Sequence, residues 1–83
     1  MRIVGNIPHP DLLITVFAMN EKYVVKIEAG PMEQTYKIPM DSVAGLDGLK
    51  KFFDDYFMQK VLHRFNDMFL DLKAATKKAA EDL

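Results

Sequence analysis

His63, Asp67 and Asp71 recur at intervals of four, so on a helix they share one face. An imidazole and carboxylates so placed are the kind of groups that hold a divalent cation, or that work as a base and its orienting partner. The same spacing is also what an ordinary solvated helix face shows, with charged neighbours one turn apart. His9 stands between Pro8 and Pro10 and ahead of Asp11, where a stiff loop can present an imidazole. Asp54 and Asp55 are adjacent, which on a helix points them about 100° apart and denies them a shared proton. Neither histidine is accompanied by a recognisable Ser or Cys nucleophile motif, and Gly45 and Gly48 fit no phosphate-binding loop pattern. The residues therefore give no catalytic assignment, no metal site and no cofactor, and the expectation is a protein that is not an enzyme.

The polar groups of the strands offer a different chemistry. Lys26 and Lys37, with Thr35 and Phe17, fall on one face of the expected sheet, and Lys73, Lys77 and Lys78 cluster near the C-terminus. Basic residues interleaved with aromatic ones on a sheet can stack single-stranded bases. Only Phe17 is aromatic on that face, and Glu81 and Asp82 dilute the C-terminal lysines. The whole chain has 11 basic and 12 acidic side chains and a formal charge of -1, without the basic excess that phosphate backbones call for. Nucleic-acid binding is thus an alternative rather than the main expectation.

The elements that would position these groups are legible from periodicity. "RIV" reads as a short strand, and the two prolines make residues 1–11 an irregular or short-stranded lead-in. "LLITVFAM" is a strand apolar on both faces, with Leu12, Ile14, Val16 and Ala18 opposite Leu13, Phe17 and Met19. Such a strand belongs inside a larger sheet or under cover on both sides. "YVVKIEA" and "EQTYKIP" alternate, which places Tyr23, Val25, Ile27, Gln34, Tyr36 and Ile38 toward the core and Val24, Lys26, Glu28, Thr35 and Lys37 away from it. "NEK" and Gly30-Pro31 mark the turns of an antiparallel meander over 12–39.

A helical segment follows over 42–80, with Asp47 as its expected N-cap and no Pro or Gly after Gly48 to interrupt it. Its apolar stripe runs through Phe53, Phe57, Val61, Phe65, Met68 and Leu72 to Ala75 and Ala79, widened by Phe69 among others. From Val61 the spacing alternates four and three, the pattern of a helix seam. Phe53 and Leu72 lie about 28 Å apart along such a helix, more than a strand of seven residues spans. Part of the helix must then overhang its sheet, unless it folds into a hairpin.

The sequence thus predicts an α+β fold, a three- or four-stranded antiparallel meander followed by a long C-terminal amphipathic helix, in a single domain over 1–83. A chain of 83 residues with no cysteine and 49% hydrophobic composition has neither disulfides nor Cys-bound metal to stabilise it. Self-association is the remaining means, and twofold pairing is its commonest form. The expected role is a protein-interaction or assembly module acting as a homodimer, with Phe53, Phe57, Val61, Phe65, Met68, Phe69 and Leu72 as interface candidates. In the alternative, the helix docks in the groove of a different protein. No segment approaches the roughly 20 apolar residues of a membrane span, and a cytoplasmic location is expected.

Overall fold

The computed structural model describes residues 1–81; Asp82, counted above among the charges near the C-terminus, lies outside them. Four strands, β1 (Arg2–Ile7), β2 (Leu13–Met19), β3 (Lys22–Ala29) and β4 (Met32–Pro39), form one antiparallel sheet in sequence order. A 3-10 turn (Met40–Ser42), a short helix α1 (Gly45–Lys50) and a long helix α2 (Asp55–Glu81) complete the chain. This is the α+β meander followed by a long C-terminal helix that the periodicity predicts.

The lead-in is more regular than its prolines imply. β1 continues through Gly5 to Ile7 and pairs with β2, with a bulge between Ile3 and Gly5 that turns both Val4 and Ile7 toward the core. Gly5 leaves room there for Leu46, whose Cδ2 would stand 3.2 Å from a Cβ at this position and would have to shift by a few tenths of an ångström. The β2–β3 turn consists of Asn20 and Glu21, both at positive φ, the arrangement that matches the right-handed twist of a hairpin. Asn20 accepts it readily, and Glu21, the less suited of the two, has its carbonyl engaged by the Met40 N–H at 3.0 Å.

The helical segment departs from expectation at its start. Asp47 lies inside α1 rather than capping it, and the chain breaks at residues 51–54 before α2 begins. Asp54 is the cap: its Oδ1 accepts from the Phe57 N–H at 2.9 Å, satisfying a donor that the helix leaves free. The break lets α1 place Leu49 fully inside the core while α2 crosses the sheet at its own angle.

Strand parity sorts the sheet as the alternation requires. Ile14, Val16, Val25 and Ile27 are at most 1% exposed and face Leu49, Met58, Val61 and Phe65 from the helices and Phe53 from the break between them. Tyr36 meets Phe53 and Phe57 edge to face, with centroids 6.2 and 5.4 Å away, and the two phenylalanines meet at 5.0 Å.

Candidate functional site: the projecting helix and the outer sheet face

α2 is tied to β4 by a polar relay. The Tyr36 hydroxyl donates to Gln34 Oε1, and Gln34 Nε2 donates to the Val61 carbonyl, each at 3.0 Å. Going along α2 from Phe57 to Val61, its partners on β4 step back from Tyr36 to Gln34. Four helical residues and two strand residues both cover about 6 Å, so the next turn, at Phe65, arrives level with Met32, where β4 begins. Phe65 is accordingly the last buried residue of α2, and Met68 is half-buried against the rim.

Beyond that point the helix has no sheet beneath it. Residues 66–81 extend about 24 Å, and Phe69, Leu70 and Leu72 are each about half exposed. Phe69, Leu72, Thr76 and Ala80, with the stems of Lys73 and Lys77, line a shallow apolar groove along this projection. The long dimension of the molecule, 51 Å against 26 and 19 Å for the others, reflects it.

The seven interface candidates therefore divide. Phe53, Val61 and Phe65 are part of the chain's own core, with Phe57 and Met68 packed partly against it. Phe69 and Leu72 remain available. The division was not legible in the stripe, because the residues before and after Phe65 share one periodicity and differ only in whether a sheet lies opposite.

A second apolar surface lies on the sheet face turned away from α2. Ile3, Phe17, Val24 and Lys37 form one row across the four strands, and Leu13 begins the row that ends in Glu28 and Glu33. Ile3 and Leu13 are exposed, Phe17 is half-buried, and Val24, flanked in its row by Phe17 and Lys37, is buried although it faces outward. β2 is thus apolar on both faces with only one of them covered by the chain's own helices.

The candidate nucleic-acid contacts do not converge. Lys26 and Lys37 are on the outer sheet face, and Lys26 lies 3.8 Å from Glu28 and 3.6 Å from Glu33. Lys73, Lys77 and Lys78 stand past the sheet end on the projecting helix. His63, Asp67 and Asp71 are exposed on α2, and among the described residues no three His, Cys, Asp or Glu side chains gather as a metal site would need. His9 Nδ1 accepts from the Asp11 N–H at 3.1 Å, a local turn contact. His9 also borders an open cleft of Ile7, Ile14, Phe53, Met58 and Asp55 beside the start of α2. Among the described residues no helix is long and apolar enough to cross a membrane.

The fold and its surfaces define a small α+β domain with an amphipathic C-terminal helix and exposed hydrophobic residues of the kind that protein-interaction surfaces carry. Searches of protein-family models, curated proteins and solved structures found no match to the chain.

Proposed function

We propose that this chain is a protein-interaction module that self-associates as a homodimer through the distal half of α2, and that it carries no catalytic chemistry. One observation supports the reading above the others: the apolar stripe that supplies the core as far as Phe65 continues past the sheet end through Leu72, beside the exposed ring of Phe69. Large apolar side chains held on a rigid helix gain most by burial against another protein, at about 25 cal/mol per Å² of apolar surface removed from water. A domain of this size has little stability to spare, so a contact of a few side chains changes it measurably.

The helix-in-groove adaptor is the second reading, favoured by Phe69, Leu72, Thr76 and Ala80 following the anchor spacing of an amphipathic ligand helix. Absolute mass by light scattering over a concentration series separates the two. Self-association gives about twice 9.5 kDa, falling to the monomer on dilution. A mass of 9.5 kDa throughout removes the homodimer and leaves the adaptor.

A further inference from the structure

The projecting part of α2 keeps the face that the core uses. Met58, Val61 and Phe65 point at the chain's own sheet, and Leu72 and Ala79 recur within about 20° of the direction of Val61 around the helix. Phe69 borders the same face. Whatever covers Leu72 must therefore lie in the layer that the sheet occupies, beyond the rim where β4 begins at Met32. The charges of the projection are segregated along it, with Asp67 and Asp71 in its first half and Lys73, Lys77 and Lys78 in its second. Asp67 and Asp71 stand one turn apart, a repulsive spacing on a helix, and neither has an ion-pair partner among the described residues.

Resting on the homodimer reading above, we propose that the occupant is the projecting helix of a second copy running in the opposite direction, with the twofold axis close to Ala74. Sterics decide the direction. Packed helices lie about 8 to 10 Å apart. A parallel partner at that depth runs back along α2 into the space of its sheet, where the Val61 carbonyl is already joined to Gln34 Nε2 at 3.0 Å. A reversed partner points only its C-terminal end at that sheet and carries its own sheet away past the end of α2. The overlap then runs from the rim at Met68 to Glu81, about 20 Å in each copy, and its midpoint fixes the axis. Each helix end fills the layer beyond the other copy's sheet, so the dimer has two layers, each a sheet and a helix end to end.

The register that this limit sets also matches the side chains. About an axis at Ala74, Asp71 comes within one residue of Lys78 of the other copy on the same flank of the pair, so that each acidic half meets a basic half. Phe69 comes level with Ala79 of the other copy, against the groove that Thr76, Ala80 and the stems of Lys73 and Lys77 form. The small side chains of Ala75 and Ala79 let the two backbones approach. In a parallel pair each carboxylate and each ammonium group stands beside its own copy instead.

The chain has no cysteine, so introduced thiols report without interference. Met68→Cys and Ala79→Cys chains are prepared separately, checked for fold by circular dichroism and for dimeric scattering mass, and treated with a short bis-maleimide, each alone and then mixed. The reversed pair brings position 68 of one copy within a residue of position 79 of the other, and holds the two copies of 79 about 15 Å apart and those of 68 about 18 Å apart. A covalent dimer is expected from the mixture and from neither variant alone. Asp71→Asn removes two symmetry-related attractions and is expected to raise the dissociation constant about threefold, read from scattering mass against concentration. A parallel pair loses a repulsion in that variant and tightens. If the unaltered chain is a dimer but Ala79→Cys links to itself, the mixture gives no link, or Asp71→Asn tightens the dimer, the reversed seam is overturned while self-association stands. An unaltered chain that is monomeric at every concentration overturns both.

Discussion

The carboxylate of Asp54 sets where α2 begins, and Asp54→Ala leaves the Phe57 N–H without its cap. The expected loss is about 1 kcal/mol, read from the midpoint of chemical denaturation. Gln34→Ala removes both the donor to the Val61 carbonyl and the acceptor for the Tyr36 hydroxyl, and about 1 to 2 kcal/mol is expected by the same measurement. Phe65 and Phe69 make the sharpest contrast. They are one turn apart and chemically identical, yet one is 5% and the other 50% exposed. Phe65→Asp places an unpaired charge in the core and should abolish cooperative unfolding, whereas Phe69→Asp should leave the monomer folded and remove its self-association. Equal loss of fold in the two variants would show that Phe69 is needed within the chain.

At the scale of the element, α2 is two helices in energetic terms. The part from Asp55 to Phe65 is held by the core, the aromatic contacts of Tyr36 and the Gln34 relay. Past Met68 the described side chains are exposed, and isolated helices of that length are marginal in water even when rich in Ala and Lys. In a monomeric Leu72→Asp variant, amide hydrogens of residues 69–81 should exchange quickly while those of the buried segment stay protected. In the unaltered chain at high concentration, both segments should be protected. A distal segment that exchanges quickly at every concentration would count against its burial in any dimer. The strands are legible from alternation in the sequence, because a side chain's face depends on parity alone. β1 is longer than its sequence implies, because proline and glycine signal irregular chain, whereas a bulge absorbs Gly5 and the strand ends before Pro8.

For the whole molecule, the radius of gyration is 15.5 Å, against about 12 Å for a compact chain of this length. The excess is the projecting helix, which gives the monomer a large surface for a small core. If a second copy covers that projection, the thermal midpoint should rise as protein concentration rises, since mass action favours the associated folded state. A midpoint independent of concentration would fit a stable monomer with its helix free for another protein.

The sequence by itself determined the order of strands and helix, the parity of the sheet and the continuity of the apolar stripe, because each is set by the local geometry of a strand or a helix. It also implied, by length, that the helix would outrun its sheet if it did not fold into a hairpin; that it stays straight from Asp55 to Glu81 was decided by the tertiary structure. Tertiary structure decided where the stripe stops being core, at Phe65, because that point depends on the angle and height at which α2 crosses β4. It likewise decided that the outer face of β2 lies open and that the helical segment breaks at residues 51–54. Burial is a relation between segments distant in the chain, so identical residues one turn apart receive different fates.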